Sequence, residues 1–301
     1  MSDERLEEAF ADAPTNWGKW GRNDELGAVN YLTEPQVLAG ARAIEHGKTF
    51  SLGVPIGRPE GDPKSPSRPE SQHYMVRDRG HYEAGKLPAD GRQGAEDVLT
   101  LALHGTTHVD ALGHSWYGDE MYNGFDPETT KGGLERCSVE PIAEHGVVGR
   151  GVLLDVARHR GVEHLAHDAT VSLSELKACA DEQGVELRER DVLVIRTGWL
   201  ERYYAGEHEP IEDFDEPGIT YSEELTAWFH DMEIPTFVTD TLANERTHPE
   251  SGIRLPLHAT FIRDQGILFT EITLLGELAA DCEEDGKYEF MYVCSPLKIV
   301  E

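Results

Sequence analysis

Between residues 147 and 300 the chain alternates short β-branched apolar runs with segments whose apolar residues recur at helical spacing. That alternation leaves few architectures open, because strands separated by helices pack as a mixed α/β fold. The strand-like runs are "VVGRGVLLDV" (147–156), "DVLVIRTGW" (191–199), "PTFVTDT" (235–241), "ILFTEIT" (267–273) and "EFMYVCSPLKIV" (289–300). Between them "SLSELKACADEQGV" (172–185) reads as a helix opened by Ser172 and Glu175 and stopped at Gly184. "SEELTAWFHDM" (222–232) reads as a second helix, and "LHATFIRDQ" (257–265) as a short one stopped by Gly266.

The first half is less regular. Residues 1–15 are charged and polar and are expected to be mobile, whereas "NWGKWGRNDELGAVNYL" (16–32) is rich in Gly and Trp and reads as an ordered loop. A helix is expected over 34–45, with Thr33 as its N-cap and Gly47 just past its end. "FSLGVPI" (50–56) reads as a strand, and the Pro-rich, charged stretch 57–71 as a surface loop or lid. Residues 83–96 are loop-like, and "VLTLALHGTTHVD" (98–110) resumes a strand pattern. No repeat or linker interrupts residues 16–301, so a single domain is expected there.

Charge narrows the partners. The chain has 27 lysines and arginines against 57 aspartates and glutamates, a net charge of −30. Phosphate backbones and anionic membranes need a basic surface, so neither nucleic acid nor membrane is expected as a partner. No apolar run is long enough to span a bilayer, and the start "MSDERLEEAF" has no apolar signal core, so the expected location is the cytoplasm. Cys137, Cys179, Cys282 and Cys294 are widely spaced and read as reduced thiols.

The chemistry concentrates in "LHGTTHVDALGH" (103–114), which holds His104, His108, Asp110 and His114. Gly105, Thr106, Thr107 and Val109 are poor helix formers, so a strand is the better reading. Positions 104, 108 and 110 then share one face. Six residues of straight strand span roughly 20 Å, whereas metal–ligand bonds are about 2 Å. His104 therefore joins His108 and Asp110 only if the chain bends, and Gly105 is the expected bend. Two imidazoles and a carboxylate suit Zn2+ or Mn2+ with positions left for water. His114, beyond the flexible Gly113, is placed to act as a catalytic base or acid.

At these residues the chain resembles the cyclase family of metal-dependent hydrolases, which includes bacterial kynurenine formamidase and isatin hydrolase. The family signature H-x-x-T-H-x-D-x-P-x-H is matched at His104, Thr107, His108, Asp110 and His114, with Leu112 in place of Pro. "NWGKWGRNDELGAVNYLT", "GDEMYNG" (118–124), "LLDVARHRG" (153–161), "VLVIRTGW" (192–199) and "FVTDT" (237–241) also resemble family landmarks. The resemblance implies a swivelling β/β/α domain, a mixed sheet with a kinked metal-bearing strand, and a homodimer or higher assembly. It also implies a second ligand pair, His258 and Glu271. His104, His108 and Asp110 would then hold one ion, and Asp110, His258 and Glu271 a second if two are bound. Read without the family, His258 could equally cap a helix and Glu271 be an edge-strand charge.

The implied reaction is opening of an amide, cyclic amide or lactone bond in a small molecule. N-formylkynurenine hydrolysis is the nearest alternative, and a non-catalytic metal-binding protein the alternative of another class. Trp17, Trp20, Trp116 and Tyr122 are candidate pocket residues, with anchoring of the core as the competing reading. The histidines of "HRGVEHLAH" (159–167) are irregularly spaced and read as a solvated turn. No G-x-S-x-G or G-x-G-x-x-G motif points to a serine hydrolase or a dinucleotide enzyme.

Overall fold

Strand runs without a polar alternation need cover on both faces, and the second half of the chain provides it. A computed structural model describes residues 3–58, 61–87, 91–206, 216–247 and 252–300. Residues 1–2 of the expected mobile segment, and 59–60 and 88–90 of the two expected loops, lie outside the described residues. The strands are β1 (Gln72–Arg77), β2 (Glu96–Thr100), β3 (His108–Asp110), β4 (Val147–Asp155), β5 (Thr170–Val171), β6 (Val192–Arg196), β7 (Gly218–Ile219), β8 (Thr236–Thr239), β9 (Leu268–Glu271) and β10 (Glu289–Cys294). Six of them form one sheet in the order β10-β4-β6-β8-β9-β3. β4, β6, β8 and β9 are parallel, while β10 and β3 close the two edges antiparallel. The mixed α/β fold with a mixed sheet is the one expected from the sequence.

The parallel steps are made by helices, as the alternation predicts. Helix Leu173–Gln183 connects β4 to β6, Ser172 caps it through its side chain, and Gly184 ends it in the left-handed region. Helices Trp199–Ala205 and Glu223–Asp231 lie between β6 and β8. The wide-turned π-helix His258–Gln265 leads from β8 into β9. Phe229, Phe237, Phe261 and Phe269 are fully buried where these elements meet, with ring centroids 4.5–6.2 Å apart. None of the four cysteines forms a disulfide.

Several local expectations change. Residues 50–56 form no strand: Leu52 O accepts from Leu274 N and Val54 N donates to Thr107 Oγ1, so single partners replace a ladder. The strand pattern from 98 to 110 is broken by a 3-10 turn at Leu103–Gly105, which separates β2 from β3. β10 ends at Cys294, two residues before Pro296, which has no N–H to give a ladder. The N-terminal segment contains a helix, Asp3–Ala9, followed by Phe10, which is buried against Tyr117 and Tyr221. Among the described residues no helix is long and apolar enough to cross a membrane.

Candidate metal centre

The histidine motif is assembled by three short pieces of backbone. β3 pairs with β9 so that His108 faces Glu271 and Asp110 faces Phe269. In a strand alternate side chains share a face, so His108, Asp110 and Glu271 converge. Thr107 fixes that register from the side: its hydroxyl donates to Ile272 O and accepts from Val54 N. His104 is carried by the Leu103–Gly105 turn, and a further turn, closed by His114 N on Ala111 O, brings His114 back. His258 opens the π-helix after β8.

The resulting distances are short. His104 Nδ1 lies 2.9 Å and His108 Nε2 3.2 Å from Asp110 Oδ1. His108 Nε2 is 3.4 Å from Glu271 Oε2. His114 Nε2 and His258 Nε2 lie 3.8 and 3.7 Å from Asp110 Oδ2, and His258 Nε2 is also 3.7 Å from Glu271 Oε1. The rings of His104 and His114 stack with centroids 4.2 Å apart. The tightest groupings are His104–Asp110–His114 and His108–Asp110–Glu271, with Asp110 common to both. His104, His108, Asp110, His114, His258 and Glu271 are thus all brought together. His114, expected as an acid or base, stands as near to Asp110 as His258 does.

Two imidazoles are oriented from behind. His108 Nδ1 donates to Thr106 O at 2.8 Å, which turns Nε2 towards Asp110 and Glu271. His258 Nδ1 is 2.6 Å from Glu245 Oε1, and the Glu245 carboxylate also accepts from Leu257 N and His258 N. Glu245 is fully buried and sits where Gly218 passes. A Cβ at Gly218 would stand 2.2 Å from Glu245 C, so only glycine lets β7 run this close. Nothing in the pattern around Glu245 singles it out in the sequence. Arg68, which donates to His104 O, was likewise hidden in a stretch read only as a loop.

The electrostatics ask for a cation. Burial opposes charge on Asp110, yet the imidazoles of His114, His104 and His108 hold its carboxyl well below the usual range. Burial raises Glu271, and the neighbouring Asp110 charge raises it further. Burial also opposes charge on His108, but Asp110 and Glu271 push it up to about 10. Burial pushes His114 down to about 4; the Asp110 charge opposes this, and the imidazoles of His104, His258 and His108 add to it. His104 Nδ1, His108 Nε2, both Asp110 oxygens and Glu271 Oε1 are buried without a hydrogen-bond partner among the described residues. Buried polar atoms left this way are costly, and one or two cations would satisfy them together. The residues therefore fit a metal.

Three of the four candidate pocket residues have anchoring contacts. Trp17 donates Nε1–H to Arg263 O and lies against the Arg263 guanidinium. Trp20 packs edge-on against Tyr31, and Tyr122 is fully buried with its hydroxyl on Asp24. Trp116 is the exception, two residues past His114 and 40% exposed.

Comparison with known proteins follows the same lines. The family model described as "Putative cyclase" matches residues 42–246. A crystal structure of a novel cyclase is similar over 95% of this chain and 95% of its own, at 34% identity and a TM-score of 0.84. Isatin hydrolase A from Ralstonia solanacearum shares the fold over 83% of this chain and 86% of its own, at 17% identity and a TM-score of 0.59. A potential metal-dependent hydrolase with cyclase activity does so over 84% and 91%, at 18% identity and a TM-score of 0.51. The comparison with curated proteins gives no match. With the family model covering most of the chain and the 34% identical relative covering nearly all of it, this chain belongs to the cyclase family.

Proposed function

We propose that the protein is a metal-dependent hydrolase that opens an amide, cyclic amide or lactone bond of a small molecule. The observation that carries this reading is the set of orphaned buried atoms around Asp110. The similarity to isatin hydrolases, and to a protein described as a metal-dependent hydrolase, supports it. His104, His108, Asp110, His258 and Glu271 are the proposed ligands of one or two Zn2+ or Mn2+ ions. When bound, such an ion polarises a carbonyl and lowers the pKa of water towards about 7. His114 has its Nε2 3.8 Å from Asp110, and burial depresses its imidazole, so the ring is neutral near pH 7 and keeps one nitrogen open as a proton acceptor. It removes the proton from the attacking water and returns it to the leaving nitrogen or oxygen. Trp116, two residues past His114 and 40% exposed, is the proposed ring on which a flat substrate would stack.

The test joins composition to turnover. Elemental analysis should find a divalent metal at one or two equivalents per chain. A parallel screen of formylkynurenine, isatin-type lactams and dienelactones should find hydrolysis of one class. His114→Ala should keep most of the metal and lose at least a hundredfold in kcat, the scale of general acid–base catalysis. A near-normal rate in that variant would remove His114 from the reaction, and a metal-free, inactive wild type after reconstitution would remove the proposal.

A further inference from the structure

The turn that returns His114 to the site is thinly held by its own residues. His114 N closes it on Ala111 O, and neither Ala111, Leu112 nor Gly113 is a proline that would stiffen it. The ring is not fixed by a hydrogen bond to Asp110 either, because Nε2 stops 3.8 Å from Oδ2. Where the imidazole stands is therefore set by where Gly113 and His114 hold the backbone.

Gly113 is held from outside the motif. Its N–H donates to Cys137 O at 2.9 Å. The chains pass so closely that a Cβ at position 113 would stand 2.8 Å from Leu134 Cδ1 and 3.2 Å from Cys137 O. Cys137 presents that carbonyl from left-handed backbone, with φ +58°. A buried residue other than glycine adopts this conformation only when its surroundings impose it, and such outliers gather at functional sites. The thiol is not the reason for it. Burial pushes the Cys137 thiol up, and the charges of Glu25 and Asp24 add to the effect, so the group stays protonated and unreactive.

The surroundings that impose it lie on both sides of Cys137. Glu25 Oε2 accepts the Cys137 N–H at 2.7 Å while Oε1 accepts from Arg136 Nη1 at 2.8 Å, so one carboxylate grips two successive residues. Glu25 is in turn placed by its neighbour Asp24, which accepts from Gly27 N, Asn30 Nδ2 and the Tyr122 hydroxyl. On the other side Ser138 caps the helix Val139–His145, which buries Ile142 and Ala143. The strained carbonyl thus joins a carboxylate 88 residues before Gly113 to the turn that carries His114.

We infer that Glu25, granted the reading of His114 as proton carrier, is a positioning residue for it, acting through the Cys137 backbone on the Gly113 N–H. Hydrogen bonds to an ionised carboxylate are the stronger kind, which suits one that must hold a strained residue. A general base displaced by about 1 Å loses up to about a hundredfold in rate.

The test compares Glu25→Ala with Glu25→Gln, whose amide oxygen can still accept from Cys137 N. In Glu25→Ala the amide of Gly113 should exchange with deuterium at least about tenfold faster, while the amides of the central strands β6 and β8 keep their protection. Bound metal should stay at the wild-type level, kcat should fall by about ten- to a hundredfold and KM should change by less than about twofold. Glu25→Gln should recover most of the lost kcat and of the Gly113 protection. An unchanged Gly113 exchange rate in Glu25→Ala overturns the inference, whether or not a substrate has been found. So does a wild-type kcat, or a loss of kcat, metal and strand protection together, which is general loosening. A metal-loaded wild type that hydrolyses none of the candidate substrates counts against the proposed reaction instead, and the Gly113 amide then decides whether Glu25 holds the turn.

Discussion

Asp110 is the residue on which the site turns, since four imidazoles point nitrogen atoms at its two oxygens within 3.8 Å. Glu245 does less visible work by holding His258 from behind, through its backbone N–H and its Nδ1. Glu245→Gln should keep the fold, leave one of these donors poorly paired, and weaken metal retention by roughly ten- to a hundredfold. Titration with a chelator reads that directly, and unchanged retention would reduce Glu245 to a helix cap. The imidazoles also give the site a pH signature. In the cation-free chain His108 is raised to about 10, so its proton stabilises the folded state below the unfolded value of about 6.5 and that contribution is lost as pH rises through about 10. Metal uptake has the opposite sign, because the ion must displace that proton. Affinity should therefore rise with pH from 6 to 9, and calorimetry in buffers of different ionisation enthalpy should show protons released on binding. Binding that is flat in pH with no release would contradict the assignment of His108 as a ligand.

At the scale of elements, the site depends on where the π-helix stops. Gly266 ends it with φ +67°, and a Cβ there would meet the Tyr122 ring at 2.6 Å and Gly27 Cα at 2.7 Å. The Gly266 carbonyl also accepts from Ala28 N, so this one turn ties the N-terminal loop to the entry of β9. Gly266→Ala should destabilise the protein by roughly 1–3 kcal/mol, from backbone strain and overpacking together. Urea unfolding measures it, and a change within about 0.5 kcal/mol would mean the turn relaxes freely. The stop at Gly266 was legible in the sequence, as were the five strand runs of the second half, because period and helix-stop glycines are local signals. The His104 bend was legible too, since a straight strand cannot bring residue 104 to residue 110. What stayed hidden depends on distant partners. Residues 50–56 look like a strand but find only isolated bonds to Leu274 and Thr107. The contacts of Trp17 with Arg263 and of Trp20 with Tyr31 likewise join residues far apart in sequence or hidden within a loop, which no local pattern announces. Glu245 and Arg68 carry no pattern of their own and become visible only once folding sets them behind His258 and His104.

For the whole molecule the dominant fact is the excess of acids over bases, 57 against 27. Many of the cations present are already committed: Arg150 bridges Asp191 and Glu289, Arg196 bridges Asp155 and Glu201, and Arg160 holds Glu175. The other carboxylates outnumber the bases left to neutralise them. Their repulsion acts over distances comparable to the Debye length, roughly 30 Å at 0.01 M salt and about 3 Å at 1 M. It is relieved by unfolding, which moves the charges apart, so it subtracts from stability most strongly at low ionic strength. Paired charges would respond the other way, since salt weakens attraction as well. The balance of 57 acids to 27 bases settles the sign in favour of repulsion. Raising sodium chloride from about 0.01 to 1 M should therefore raise Tm by several degrees, most of the gain coming before about 0.3 M, where the Debye length falls below the spacing of surface charges. A Tm that falls with added salt would show that the ion pairs on Arg150, Arg160 and Arg196 outweigh the unpaired acids, and that the acidic surface is better compensated than its composition implies.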